Sequence, residues 1–155
     1  MKSSRYTKNP FPPYAYLPGK AVHPLKKGGH MEKTGDPVVP PMDFNNPGES
    51  TAYLYAIDLF NHDFFWESHV WWEALWHRTG RKGIHSDFLK ALIKFAAAGV
   101  KFRLGQKKAA HGHCLRAVEL LQTIEKTYPS LAGFELKELI VMGKSRNLIS
   151  LQPKI

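Results

Sequence analysis

Acidic residues are scarce in this chain. Thirteen Asp and Glu stand against 22 Lys and Arg in 155 residues, a formal net charge of +9. The basic residues are dispersed, with no run longer than two, so the charge is weak support for a nucleic-acid partner and is equally compatible with an anionic ligand or with solubility alone. Cysteine is nearly absent. Cys114 is the single one, which excludes an internal disulfide and suits a reducing cytoplasm. No apolar run approaches the roughly 20 residues of a membrane-spanning helix, so no membrane partner is expected. Met1–Pro13 has no apolar segment of the kind that marks a secretory signal. Gly-rich phosphate loops, nucleophile elbows and Cys-x-x-Cys pairs are also missing.

Proline is almost confined to the first third. Residues 1–48 hold 9 of the 11 prolines and 5 of the 12 glycines, which excludes helix there. The same stretch carries Phe11, Tyr14, Tyr16, Leu17, Val22, Leu25 and Phe44, too apolar for a free linker. An extended strap over residues 1–48, lying across a helical body, is the expectation.

The body, residues 49–146, reads as all-α: a compact antiparallel bundle of about five helices with short connections. Ser50 is placed to cap a first helix over 51–62. Asp63 is expected to cap a second over 64–78, ended by Gly80. Ser86 or Asp87 opens a third, to Leu104, whose Ala96-Ala97-Ala98-Gly99 run permits close helix contact. A fourth spans 107–127, with Ala110, Cys114, Ala117, Val118, Leu121 and Ile124 at spacings of three and four. A short fifth covers 134–143, and a loose tail, residues 147–155, follows. Nothing suggests a sheet.

Chemistry-bearing residues concentrate between Asp58 and His77, where all four tryptophans, Trp66, Trp71, Trp72 and Trp76, also lie. His69 and Glu73 are four apart and share a helix face, with Trp76 and His77 continuing the row. Asp58 and His62, with Asn61 between, form a second such pair on the preceding helix. Facing helices can bring the two pairs to one point, the way bundles build metal sites. Imidazole and carboxylate together suit zinc, manganese, iron or nickel. Glu67 lies about 160° round the helix from His69 and points to another wall.

His69-Val70-Trp71-Trp72-Glu73-Ala74-Leu75-Trp76 fits a His-x-x-x-Glu-x-x-Trp pattern, with Phe65-Trp66-Glu67-Ser68 before it and Phe88–Ala98 after it. Residues 53–142 thereby resemble the bacterial and archaeal family called domain of unknown function 309. The resemblance implies a helical fold and a motif that has been suggested to bind metal. His69, Glu73 and Trp76 match the motif, and Glu67 matches the usual acidic position before it. The family often has Glu after the histidine, where this chain has Val70. The segment from Pro13 to Gly19, with His23-Pro24 and Gly29-His30, resembles an extension carried by some members and would bring His23 or His30 to the site.

Two functions follow as expectations. The first is a metal-binding or polar active-site pocket, of hydrolase type, with His69, Glu73, Asp58 and His62 as ligands and Glu67 or Glu73 accepting a proton from bound water. Trp76, Asn61, His23 and His30 would support it, and the substrate would be a small molecule. The second is a non-enzymatic module whose basic surface contacts nucleic acid or an acidic partner. Self-association through the aromatic helix fits both. Against these stands a plainer reading. His69 and Glu73 can be a hydrogen-bonded packing pair. The tryptophans can be core, each contributing about 2 kcal/mol on burial, with indole N–H groups donating to nearby carboxylates. His111-Gly112-His113 reads as solvated surface, and so does the row Lys90, Lys94 and Lys101.

Overall fold

The computed structural model describes residues 3–155; Met1 and Lys2 of the strap lie outside the described residues. Five helices carry the chain: α1 (Thr51–Asn61), α2 (Phe65–Arg78), α3 (Ile84–Arg103), α4 (Lys107–Glu125) and α5 (Leu136–Ser145). Each packs on its chain neighbour, giving an all-α bundle. Trp72, Phe88, Phe95, Leu92 and Leu121 are fully buried at its centre, with Cys114 among them.

Local chemistry explains the boundaries. The Ser50 hydroxyl accepts from the Tyr53 N–H at 3.2 Å, so α1 starts at its expected cap. Asp63, by contrast, does not cap α2. It sits at φ +68°, turning the chain sharply, and Phe64 occupies the cap position without a side-chain bond. Short polar side chains tolerate this left-handed backbone, which is why Asp fits the turn as well as it fits a cap. Helix α3 starts at Ile84, ahead of the expected Ser86 or Asp87, because Gly83 adopts φ +91° and breaks the chain first. Gly99 lets α2 approach α3. A Cβ there would meet the Phe65 ring at 2.3 Å.

Two sequence expectations fail between α4 and the C-terminus. Ser130–Leu131 pairs antiparallel with Phe134–Glu135, a minimal hairpin that absorbs the expected start of α5. Its two turn residues, Ala132 and Gly133, both have positive φ, matching the right-handed strand twist. Tyr53 holds the turn by donating its hydroxyl to the Ala132 carbonyl at 2.9 Å. The tail is not loose. Leu151 is 2% exposed, and the Lys154 N–H donates to the Gly133 carbonyl at 2.7 Å.

Residues 3–46 contain no helix or strand and pack on the bundle through Tyr16, Met31, Val39 and Phe44. Two buried carboxylates receive this segment. Asp58 of α1, 0% exposed, accepts the Tyr6 N–H at 2.7 Å, the Thr7 N–H at 2.9 Å and the Thr7 hydroxyl at 2.7 Å, with Arg5 Nε 3.7 Å away. Glu67 of α2, 2% exposed, accepts the Tyr16 N–H at 2.9 Å. The segment is not extended throughout, as turns occupy residues 18–20 and most of 24–34, closed by bonds such as Lys20 N–H to the Leu17 carbonyl; outside them the N–H groups of Tyr6, Thr7 and Tyr16 are satisfied by buried acceptors on the bundle.

Candidate functional site

Helix α2 carries an acid on each of two faces, and the two differ in burial. His69, Glu73 and His77 form a row one turn apart on the more exposed face. His69 Nε2 is 2.8 Å from Glu73 Oε2, and His77 Nε2 is 3.6 Å from Glu73 Oε1. The His69 and Glu73 side chains are 30% and 44% exposed. His69 Nδ1 also lies 3.3 Å from the Trp66 carbonyl. The row thus bonds within its own helix. Trp76 continues it, with Arg81 at 5.3 Å and Lys90 at 5.9 Å from the ring.

The other face carries Glu67, Val70 and Trp71, at i, i+3 and i+4. Glu67 falls in the first turn of α2, where the helix dipole favours a carboxylate. Its Oε2 accepts from the Tyr16 N–H and from His30 Nε2 at 2.8 Å; the His30 and Glu67 side chains are 5% and 3% exposed. Its Oε1 is buried and has no hydrogen-bond partner among the described residues. Glu67, His30, Tyr55, Val70 and Trp71 line a hollow of about 420 Å³ between the strap and the bundle, with Met31, Thr34, Asp36 and Val38 on the strap side. That volume lies in the range of small-molecule sites.

His30 is delivered by a tight loop. The Gly29 N–H donates to the Lys26 carbonyl at 2.8 Å and the Met31 N–H to the Pro24 carbonyl at 2.8 Å. A Cβ on Gly29 would stand 2.2 Å from the Pro24 oxygen, so only glycine closes the loop this tightly. The Tyr14 ring then packs edge-on against the His30 imidazole, 4.7 Å between centres. Tyr55 lines the hollow from α1, and its hydroxyl is occupied by donation to the Pro10 carbonyl at 2.7 Å. Burial holds the Tyr55 phenol above its ordinary pKa, with Arg5 opposing and Glu67 and Asp58 adding to the rise.

The expected convergence of four ligands is not what the geometry delivers. Asp58 is taken by the strap backbone. His62 Nδ1 donates to the Asp58 carbonyl at 2.9 Å, with its ring against Phe11 at 4.9 Å. Asn61 holds the tail instead, donating to the Leu151 carbonyl at 2.9 Å and accepting its N–H at 2.7 Å. His23 packs on Tyr16 and Trp66 and accepts the Leu25 N–H at 3.2 Å. Among the described residues no group of three or more His, Cys, Asp or Glu could hold a metal ion. His69 and Glu73, without Asp58 and His62, do not make up the donor set of the metal that the resemblance implied. Nor do the buried indoles reach carboxylates. Trp72 and Trp76 Nε1 have no partner among the described residues.

A larger hollow, about 1,110 Å³, lies between strap residues 41–47, the junction of α2 and α3, and the hairpin. It holds none of the candidate residues and no buried unpartnered polar atom. Among the described residues no helix is long and apolar enough to cross a membrane.

Spacing offers Glu67 and Glu73 alike as proton acceptors, and pairs only Glu73 with His69, one turn away. The readable signal for Glu67 was its spacing to Val70 and Trp71, an acid on an otherwise apolar stripe. No curated protein and no solved structure matches this chain. A family model does. The model described as Domain of unknown function (DUF309) matches residues 53–112, from α1 into α4 and across both faces of α2, and over that stretch the chain is similar to this family.

Proposed function

We propose that the protein binds a small organic molecule in the hollow between strap and bundle, with Glu67 and His30 as its polar centre. One observation carries this reading. Glu67 lines a ligand-sized hollow, and its Oε1 is buried without a partner, although a buried carboxylate oxygen left unpaired is destabilising. A ligand that donates to Oε1 would remove that penalty. His30 holds Oε2, so the carboxylate is oriented before a ligand arrives. The chemistry such a pair can supply is proton transfer. Oε1 accepts a proton from a ligand or from water beside it, the role that general bases play in hydrolases.

The test uses the full chain with its tryptophan indoles labelled for NMR. A diverse fragment library is expected to shift the indole signal of Trp71, in the hollow, and to leave Trp72 in the core unmoved. Val70→Phe, which fills the hollow and keeps the Glu67 carboxylate, is expected to abolish the shifts. Fragments that bind only elsewhere, or not at all, would remove the reading.

A second reading, an interaction module using the basic surface, is favoured by the α3–α4 face. Burial holds the His113 pKa below its ordinary value, and Arg116, Lys94 and Lys101 push it the same way. Cations from two helices thus converge on one surface. Binding to single-stranded RNA or DNA should then fall steeply with salt as displaced counterions are released. Weak binding with a flat salt dependence would dispose of it.

A further inference from the structure

We infer that the ligand of the hollow is an organic cation, a primary ammonium or amidinium group on an aromatic or apolar body. The inference rests on the small-molecule reading and adds its charge and shape.

The first support is electrostatic. The chain has 22 Lys and Arg against 13 Asp and Glu, yet none of the described residues lining this hollow is Lys or Arg, and two of them, Asp36 and Glu67, are acidic. A basic protein has therefore kept its cations away from this hollow. Arg5, near the strap's other anchor, sits 3.7 Å from Asp58 Oδ2 and 4.0 Å from the Phe11 ring centre, and does not line it. An anionic ligand would meet a buried carboxylate with no Lys or Arg beside it, whereas a cation would bring the opposite charge.

The second support is the inventory of donors. Glu67 Oε1 needs an N–H or O–H. The Tyr55 hydroxyl is committed to Pro10, the Tyr16 N–H and His30 Nε2 to Oε2, and the Thr34 hydroxyl points to the Gly35 carbonyl at 3.4 Å. None of these groups is left to supply it, and a ligand can. An ammonium or amidinium offers it with charge assistance, roughly doubling the strength of a neutral bond.

The third support is the wall. Trp71 packs edge-on against Tyr55, ring centres 5.1 Å apart at 86°, and Val70, Met31 and Pro37 complete an apolar lining. Aromatic faces attract a cation, and the lining takes a flat or branched apolar body.

The experiment compares four probes of one shape on the full chain at neutral pH: benzylammonium, benzamidinium, benzyl alcohol and benzoate. The readout is the Trp71 indole shift against probe concentration. Benzylammonium and benzamidinium are expected to bind about tenfold or more tighter than benzyl alcohol, with benzoate weakest. Glu67→Gln is expected to bring benzylammonium down to the level of benzyl alcohol. Val70→Phe, which keeps Glu67, is expected to exclude all four. Benzyl alcohol or benzoate binding as well as benzylammonium in the unsubstituted protein would overturn the inference and leave the small-molecule reading standing. Failure of all four at millimolar concentration, together with failure of the fragment library, would overturn both. The comparison within the unsubstituted protein decides the matter even if Glu67→Gln does not fold.

Discussion

Asp58→Asn is expected to loosen the N-terminal segment and to lower stability by about 3 kcal/mol. The carboxylate accepts three bonds, the Tyr6 N–H on Oδ1 and the Thr7 N–H and hydroxyl on Oδ2. An amide keeps one acceptor oxygen and turns the other into a donor. With its oxygen toward Thr7, the new NH2 faces the Tyr6 N–H, and that donor is orphaned at roughly 1–3 kcal/mol. The two surviving bonds lose charge assistance, at about 0.5–1 kcal/mol each. Tyr6 and Thr7 are half-buried, so water recovers part of this, which places the total near the middle of the range. Such a loss lowers Tm by about 6–12 °C in a domain of this size. Urea denaturation gives the global loss, and amide hydrogen exchange at Tyr6 and Thr7 shows whether the segment peels away first. A loss under about 0.5 kcal/mol with unchanged exchange at both amides would refute the anchoring role, since those amides would then be satisfied without the charge.

Gly29→Ala is expected to displace His30, because the added methyl collides with the Pro24 carbonyl. The His30 ring signals should shift, and probe binding in the hollow should weaken while the helical circular dichroism stays unchanged. Gly99→Ala drives a methyl into the Phe65 ring and is expected to cost about 1–3 kcal/mol by denaturant titration, from overpacking between α2 and α3. His69→Ala removes a partly exposed pair and an edge contact with Trp66, and is expected to change stability by about 1 kcal/mol or less. A metal content that elemental analysis of untagged protein finds stripped by this substitution would overturn the surface-pair assignment. His113 has a folded-state pKa below its ordinary value of 6.5, so just below that pH the unfolded chain binds more protons and stability falls as pH drops. The loss should be absent in His113→Gln, and a polyanion bound at this face should raise the His113 pKa in an NMR titration.

How much of this was legible in sequence differs by element. Spacing gave α4 nearly to the residue, since its apolar positions recur at three and four without interruption. The Ser50 cap was readable because capping is a local bond. The Ser130–Glu135 hairpin was not. Two-residue strands have no periodicity, and Ala132 takes a left-handed backbone with its carbonyl held by Tyr53, 79 residues away. The tail was misjudged for the same reason, because the Asn61 side chain that pairs both main-chain groups of Leu151 lies 90 residues back.

Composition and periodicity alone determined that this chain is a basic, all-α domain preceded by a proline-rich segment, and they located the polar residues on the first two helices. They could not rank those residues. A helix pattern says which side chains share a face, but not which face is covered, and on α2 both faces carry an acid. Tertiary packing decided it. The N-terminal segment lies over Glu67, draws His30 to one oxygen and leaves the other buried without a partner, while Glu73 stays with its histidines in reach of water. Burial, more than residue type, makes a carboxylate's unmet hydrogen bond consequential, and burial is set by contacts between residues far apart in the chain.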